Sequence, residues 1–228
     1  MKNVDDVCVI VQARMGSKRL KRKMLKPFSG TTLMDICLQK LSSCKVPNKN
    51  IWVSVHEKEL VDVCSKYPVN IFRRSQKSAT SEGTPMSEMY EWWNKIPYKY
   101  VVLVNACAPF LKANTIESFY YDYCKSKSDG MFGVIEKKNY FWNSDNILLT
   151  PLKEDVMNTK TAEVIKEAAH CLYASKLQSI DDGIWMGDFN KHNEIELWTM
   201  SEDEVLDIDY KWQFDMFERA FQPRGLYD

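Results

Sequence analysis

Near the start of the chain, an unbroken run of apolar residues extends from Val7 to Val11. The run is too short for a helix, and its continuity is typical of a strand that is buried on both faces, as in parallel sheets. Strand-like runs recur at 51–55 and 100–104, and segments with apolar residues at helical spacing lie between them. This alternation predicts an α/β fold with a mostly parallel central sheet flanked by helices.

Helical spacing predicts a first helix after residues 31–32, whose threonines can cap its N-terminus. Further helices are expected at about 60–64, from Met86 through Trp93, after Asn114 and near Trp212 to Phe221. Further strands are expected at 71–72, 131–135 and 194–199. With 228 residues, the chain is long enough for one sizeable core and short for two, so residues 1–228 are interpreted as a single domain.

Between about residues 136 and 167 the strand and helix periodicity weakens. This stretch nevertheless carries Tyr140, Phe141, Trp142 and the apolar residues 147–149, which make it too apolar for a free loop. We expect an insertion here, a hairpin or arm that contributes to a homodimer contact.

Composition excludes several classes of protein. Lys plus Arg and Asp plus Glu are balanced at 31 each, so no global charge favours a nucleic acid or a membrane surface as partner. The seven cysteines are odd in number and scattered, which argues against a disulfide framework and a structural zinc site. The three histidines have no metal-ligand spacing. Without a signal-like segment or an apolar stretch long enough to span a bilayer, a cytoplasmic location is expected.

A basic loop follows the first strand. Between residues 14 and 26 there are seven Lys or Arg residues and no acidic one, with Gly16 and Ser17 near its start. Ligands of open α/β sheets bind beyond the carboxyl ends of strands, where glycine permits close approach and serine can donate to a phosphate. A solvated loop or a nucleic-acid patch is the alternative, but the position after a buried strand favours phosphate. The loop is neither a Walker A nor a G-x-G-x-x-G sequence.

An acidic stretch, residues 202–209, precedes the last expected helix. Asp207 and Asp209 are two residues apart, so in an extended segment both carboxylates point the same way and can converge on one Mg²⁺. The alternative is that Asp209 serves only as a cap for that helix.

The segment from Val9 to Leu20, with Lys23 and Leu25 after it, resembles the opening signature of the cytidylyltransferases. These enzymes activate sialic acids and related nonulosonates, and relatives act on 3-deoxy-octulosonate or in spore-coat polysaccharide synthesis. Asp207 to Asp209 before a terminal helix, with Asp215 beyond, is similar to the closing signature. The resemblance implies a nucleotide-diphospho-sugar transferase-like, Rossmann-like fold.

The resemblance also implies roles for individual residues. CTP phosphates would be contacted by Arg14, Ser17, Lys18 and Lys23, with Gly16 allowing close approach and Ala13 among the substrate contacts. Of these, Arg14, Lys18 and Lys23 would also hold the leaving pyrophosphate, and they are counted among the catalytic residues. Asp207 and Asp209 would hold Mg²⁺, with Asp209 counted among the catalytic residues.

Two middle segments resemble the family less closely. Residues 72–75, followed by a Ser/Thr-rich loop, are similar to its second signature, which implies that Arg73 and Arg74 help hold the nucleotide; an exposed surface pair is the alternative. Asn105 stands where relatives have Gln, and its amide can hydrogen-bond a sugar hydroxyl or a base edge. Residues 106–108 lack the usual hydroxyls, which implies either a substrate different from the usual ones or altered contacts with it. Cys107 is not expected to be a nucleophile, and His170 is expected to be structural.

The sequence thus predicts a cytidylyltransferase that binds CTP and a small acidic sugar and releases pyrophosphate by in-line displacement. No residue stands out as a general base. Two alternatives stay open: a sugar-nucleotide-dependent glycosyltransferase, which would also use a D-x-D pair, and a non-catalytic nucleotide-binding relative.

Overall fold

The computed structural model describes residues 1–80, 83–150, 158–183, 185, 187, 189, 191 and 194–222. Within these residues the strands are β1 (Val7–Gln12), β2 (Ile51–Val55), β3 (Asn70–Arg73), β4 (Tyr100–Val104), β5 (Gly130–Lys137), β6 (Ile165–Lys176) and β7 (Ile195–Thr199). The helices are α1 (Leu33–Ser43), α2 (Lys58–Cys64), α3 (Gln76–Ala79), α4 (Met86–Met89), α5 (Ala113–Lys125), α6 (Gln178–Asp181) and α7 (Lys211–Ala220). Short 3-10 turns lie at Val4–Asp6, Lys23–Leu25, Asn48–Asn50 and Glu202–Glu204.

The strands form one sheet in the order β3-β2-β1-β4-β6-β5-β7. β1 pairs in parallel with both β2 and β4, β2 with β3, and β5 with β7, whereas β6 runs antiparallel to its neighbours β4 and β5. The predicted α/β fold with a mostly parallel central sheet is therefore confirmed. Because β1 and β4 are parallel neighbours, their carboxyl ends meet at the same edge of the sheet.

The first strand is covered on both faces. Val7, Val9 and Val11 belong to the main core with α1, α5 and α7, whereas Cys8 and Ile10 pack on the opposite face with Trp92 and its neighbours. Each buried aliphatic side chain of this size contributes about 1.5–3 kcal/mol relative to an exposed one. Burial on both faces is the physical reason why the run from 7 to 11 contains no polar residue.

The boundaries of two expected helices have identifiable physical causes. α1 begins where predicted, because the hydroxyl of Thr32 accepts a hydrogen bond from the backbone N–H of Asp35 at 3.1 Å. The helix expected from Met86 through Trp93 is shorter than predicted and ends at Met89. Trp92 is fully buried, and its indole N–H donates to Gln12 Oε1 at 2.7 Å, so the chain turns inward instead of continuing the helix.

The strands β5 and β6 are antiparallel, and their pairing ends at Lys137 and Ile165. The segment that connects them extends out of the sheet at this point. Trp142 and Leu148 form an isolated bridge within it, so the described part is a small hairpin. Trp142, Ile147 and Leu149 are more than half exposed, at 53%, 61% and 56%. Residues 151–157 of the predicted insertion lie outside the described residues.

Exposed apolar side chains that lie close together are typical of a protein–protein contact. We expect light scattering to give the mass of a homodimer at micromolar protein concentration. Because the three side chains would be covered in that dimer, the triple replacement of Trp142, Ile147 and Leu149 by Ser should give a monomer that keeps the fold. A wild-type protein that is monomeric under these conditions contradicts the prediction.

All seven cysteines are free, as expected from their scattered positions, and all but Cys107 are buried. Burial raises the pKa of the Cys37 thiol to about 11 and that of Cys64 to about 12, so both stay protonated at neutral pH. None of the helices in the described part is both long and apolar enough to cross a bilayer.

Candidate functional site

Three chain segments meet beyond the carboxyl ends of β1 and β4. They are the basic loop after β1, the loop after β4 and the acidic segment that precedes α7. Two hydrogen bonds join them: Ile208 N donates to Cys107 O at 3.0 Å, and Lys23 Nζ donates to Ile208 O at 2.5 Å. The two stretches that the sequence singled out, nearly two hundred residues apart, are therefore in direct contact.

Between these segments lies a cavity of about 400 Å³, which we call the basic cavity. Its lining consists of Gln12, Ala13, Arg14, Ser17, Lys18, Arg19, Lys23, Met24, Cys107 and Asp209. It brings together most of the predicted contacts of the basic loop with one of the two predicted metal ligands. Gly16 lies in the same loop, and a Cβ added there would meet no atom within 4 Å, so the space beside it is open.

Asp209 is paired with two cations of the basic loop. Its Oδ1 atom lies 2.8 Å from an Arg19 nitrogen and 3.2 Å from Lys23 Nζ. Lys23 is buried, which by itself lowers its pKa, but its interactions with Cys107, Asp207 and Asp209 outweigh this effect and raise the pKa of the ammonium. Lys23 therefore stays charged inside the site and fixes the position of Asp209. Arg19 was not among the predicted site residues, although it belongs to the same run of cations.

The cap alternative for Asp209 is not what the structure shows. The first turn of α7 is closed by Gln213, whose Oε1 atom accepts hydrogen bonds from the backbone N–H groups of Asp209 and Tyr210, each at 2.8 Å. The carboxylate of Asp209 turns toward the cations instead.

Asp207 lies on the other side of Ile208, beside Asn105. Asn105 Nδ2 is 3.4 Å from Asp207 Oδ1 and donates to the backbone carbonyl of His170 at 3.0 Å, while Asn105 Oδ1 accepts from Cys107 N at 2.9 Å. Burial, and after it the charge of Asp209, raises the pKa of Asp207. Asn105 thus ties the loop after β4 to β6 and to Asp207, and its contact with substrate stays a prediction.

The donor atoms near Asp207 and Asp209 suit Mg²⁺. No group of three or more His, Cys, Asp or Glu side chains in the described part of the chain could hold a metal ion. Two hard carboxylate ligands completed by substrate phosphates and water are, however, the usual protein environment of this ion. The pKa of Asp207 is raised first by burial and then by the charge of Asp209, and a bound cation would offset the second of these effects. The residues therefore fit an ion that binds together with a phosphate-bearing substrate.

Arg73 and Arg74 do not line the basic cavity. Arg73 is exposed on the edge strand β3, whereas Arg74 is buried and donates to Ala13 O at 3.1 Å. Burial lowers the pKa of Arg74 to about 10. Arg74 therefore supports the start of the basic loop through Ala13, and its contact with nucleotide, like that of Arg73, stays a prediction. Arg14 links the same loop to the Ser/Thr-rich segment by donating to Ala79 O at 3.2 Å.

A buried lysine that sequence reasoning missed supports the loop after β4. Lys40 of α1 donates to Ala108 O and Pro109 O, each at 3.0 Å. Burial lowers its pKa to about 8. Its position within the apolar spacing of α1, beside Cys37 and Leu41, is the signal that a charged residue faces the core there.

Two further cavities adjoin the basic cavity. The larger, about 600 Å³, is the aromatic cavity, lined by Gln12, Tyr90, Leu103, Val104, Asn105, Phe132, Ala168, His170, Tyr173, Trp185 and Phe189. The other, about 480 Å³, is the acidic cavity, lined by Asn105, Ile135, Glu167, Ala168, Ala169, His170, Tyr173, Val205, Asp207 and Asp209. The aromatic cavity shares Gln12 with the basic cavity, and the acidic cavity shares Asp209 with it. The cleft is thus divided into one basic part and two neighbouring parts.

Two solved structures illustrate the likeness of fold. The chain aligns with a CMP:2-keto-3-deoxy-manno-octonic acid synthetase complexed with CTP at a TM-score of 0.67 and 10% identity, over 94% of this chain and 98% of that one. It aligns with a 4-diphosphocytidyl-2C-methyl-D-erythritol synthase from Anaerococcus prevotii at a TM-score of 0.65 and 13% identity, over 95% and 96%. At these identities the likeness shows a shared fold.

Sequence relatives match over shorter regions. An uncharacterized protein of Methanocaldococcus jannaschii is 34% identical over 84 residues, 36% of this chain and 35% of that protein. The spore coat polysaccharide biosynthesis protein SpsF of Bacillus subtilis is 32% identical over 81 residues, 32% and 34% of the two chains. The pseudaminic acid cytidylyltransferase of Campylobacter jejuni is 26% identical over 149 residues, 60% and 63%. Each match spans less than two thirds of the relative's own length.

Residues 8–182 match the family model described as cytidylyltransferase. This region contains the first strand, the basic loop, the loop after β4 and β6, which together form most of the cleft. The chain belongs to the cytidylyltransferase family.

Proposed function

We propose that this chain transfers CMP from CTP to a hydroxyl group of a small acidic sugar, such as a sialic-acid-like nonulosonate or a related 2-keto sugar acid, and releases pyrophosphate. The observation that carries the proposal is the basic cavity, where cations of one loop face the carboxylate of Asp209 at the carboxyl ends of β1 and β4. A triphosphate needs both features, positive charge along its phosphates and a carboxylate pair beside the reacting phosphorus.

The residues of the cleft have different roles in this reaction. Arg14 and Lys18 bind the phosphates and hold the pyrophosphate as it leaves, while the backbone beside Gly16 and the Ser17 hydroxyl complete the phosphate contacts. Lys23, buried between Ile208 and Asp209, keeps the acidic segment against the basic loop. Asp207 and Asp209 would hold Mg²⁺, which supplies charge neutralisation at the α-phosphate. Catalysis then rests on positioning and on charge, as in other phosphoryl-type transfers.

The acceptor sugar is assigned to the aromatic and acidic cavities, because both adjoin the basic cavity and share His170, Tyr173 and Asn105. Apolar walls with a few polar groups are typical of small-molecule sites. The tyrosine and asparagine side chains offer hydrogen bonds for sugar hydroxyls, and the aromatic rings offer faces for apolar substituents.

A pyrophosphate-release assay tests the proposal. The protein is incubated with CTP and Mg²⁺ and a panel of acidic sugars that includes sialic, pseudaminic and 3-deoxy-octulosonic acids. We expect release that requires both CTP and one class of acceptor. Transfer from a preformed sugar nucleotide without pyrophosphate release would select the glycosyltransferase alternative, and CTP binding without turnover on any acceptor would select a non-catalytic relative.

The nucleotide itself is a separate prediction. We expect a binding titration in the presence of Mg²⁺ to give tighter binding of CTP than of ATP, GTP or UTP, because the opening signature resembles that of enzymes that use CTP. A preference for ATP or UTP of about tenfold, equivalent to about 1.4 kcal/mol, contradicts the assignment.

A further inference from the structure

The backbone of β6 is interrupted in the middle of the cleft. Phe132 of β5 pairs with Tyr173 and Val134 pairs with Ala168, so the single residue Gly133 faces residues 169–172 of β6. A larger residue at 133 would crowd the bulge, because a Cβ there would lie 2.7 Å from Met200 Sδ and 3.1 Å from Leu172 O, so both neighbours would have to shift. Bulges beside functional sites redirect a side chain that a regular strand would point elsewhere.

The residue in the bulge is His170. Its φ is +54°, and the other non-glycine residues with positive φ in the described part, Arg22, Ser29 and Asn146, lie outside the strands. A left-handed conformation inside a strand costs free energy, and such local strain is typical of functional sites. The side chain of His170 is exposed rather than buried, and the structural role expected of it from sequence stays a prediction.

His170 lies where the aromatic and acidic cavities meet. It lines both the aromatic and the acidic cavity, and its backbone carbonyl accepts from the Asn105 amide that also contacts Asp207. One ring nitrogen, Nδ1, is 3.2 Å from the hydroxyl of Tyr173. Burial raises the pKa of Tyr173, so this phenol stays neutral and can accept a hydrogen bond from Nδ1. In that tautomer the lone pair of the imidazole is on Nε2.

We propose that His170 is the general base of the transfer reaction and that Tyr173 positions its ring. The proposal rests on the proposed function. The acceptor hydroxyl oxygen forms a bond to the α-phosphorus of CTP, the bond from that phosphorus to the oxygen bridging to the β-phosphate breaks, and pyrophosphate leaves with the electron pair. The hydroxyl proton passes to Nε2 of His170 and from there to solvent. Imidazole suits this role because a neutral ring nitrogen can accept a proton from a hydroxyl and release it again.

The ionisable groups that share these cavities with His170 are Tyr90 near β1, Glu167 and Tyr173 on β6, and Asp207 and Asp209 on the acidic segment. Of these, Glu167 is the competing base, but it lines only the acidic cavity. His170 lines both cavities assigned to the acceptor, which is the arrangement needed to reach a hydroxyl at their junction.

The test uses substitutions that the backbone at 170 accepts. Asn and Gly tolerate positive φ, so His170→Asn and His170→Gly should fold with a melting temperature equal to or above that of the wild type. We expect kcat to fall by about 100-fold or more, with CTP affinity unchanged. Added imidazole should restore part of the activity of His170→Gly, and Tyr173→Phe should show a smaller loss. His56→Asn, an exposed histidine outside the three cavities, is the matched control and should keep full activity.

The outcomes separate the two proposals. If wild type releases pyrophosphate with an acidic sugar but His170→Asn keeps its kcat, or if imidazole fails to restore His170→Gly, the general-base assignment is wrong and the proposed function stands. A large loss in Glu167→Gln together with normal turnover in His170→Asn assigns the proton to Glu167 instead. If wild type releases no pyrophosphate with any acceptor, both proposals are overturned.

Discussion

Replacing Asp209 by Asn is expected to lower turnover by about two orders of magnitude or more, the scale on which loss of one transition-state electrostatic contact acts. The substitution keeps the shape of the side chain but removes the charge that would bind Mg²⁺ beside the α-phosphate. In the structure that charge also faces Arg19 and Lys23, so the variant leaves two cations without their partner. We expect a modest loss of stability, about 1 kcal/mol, because the pairs are partly exposed.

The measurement compares pyrophosphate release and melting temperature for Asp209→Asn and a matched control. Asp62→Asn removes the same charge from the exposed face of α2, where Asp62 pairs with Lys58 at 2.6 Å, and should keep wild-type turnover. If Asp209→Asn is destabilised yet fully active, the carboxylate has a structural role only and the metal assignment fails.

Replacing Lys23 by Met has the second large expected effect. Lys23 is a buried cation that joins the basic loop to the acidic segment through Ile208 O and Asp209. Methionine fills a similar volume but cannot donate, so the Ile208 carbonyl loses its partner and the Asp209 carboxylate keeps only Arg19. Leaving a buried acceptor unsatisfied costs about 1–3 kcal/mol. We expect turnover to fall by about 100-fold, because the position of Asp209 is lost together with a phosphate contact.

The control for this variant is Lys21→Met. Lys21 belongs to the same basic loop and is exposed. Its replacement removes the same charge but leaves the contact between the basic loop and the acidic segment intact. Lys21→Met should keep its melting temperature and turnover. A Lys23→Met protein with wild-type stability and turnover contradicts the assigned role of Lys23, and equal losses in both variants would attribute the effect to overall charge in the loop.

The parts of the fold that could be predicted are those in which local pattern and burial agree. The run from Val7 to Val11 contains no polar residue because both faces of β1 are covered, and Thr32 begins α1 because its hydroxyl satisfies a backbone N–H group. The helix after Met86 could not be bounded from sequence. Its end depends on a hydrogen bond between Trp92 and Gln12, which are far apart in the chain.

In the candidate site, too, local features could be predicted from sequence and long-range contacts could not. The basic loop and the Asp207 to Asp209 pair were visible in the sequence because residues of one charge are clustered there, and they do lie in one cleft. Long-range contacts were not visible. Arg74 in fact supports Ala13 from a buried position, and the conformation of His170 depends on a bulge that forms only when β6 pairs with β5. These features depend on packing between segments rather than on local pattern.

The free cysteines allow local opening of the structure to be measured by alkylation. Electrophiles react with the thiolate, and the loss of water contact keeps these groups protonated: the pKa of the partly buried Cys107 is raised to about 11, and that of the buried Cys64 to about 12. The alkylation rate at each position therefore measures how often the surrounding structure opens. Cys64 reports on the layer formed by α2, whereas Cys107 lies in the wall of the basic cavity. A nucleotide in that cavity should shield Cys107 while the alkylation rate at Cys64 changes little.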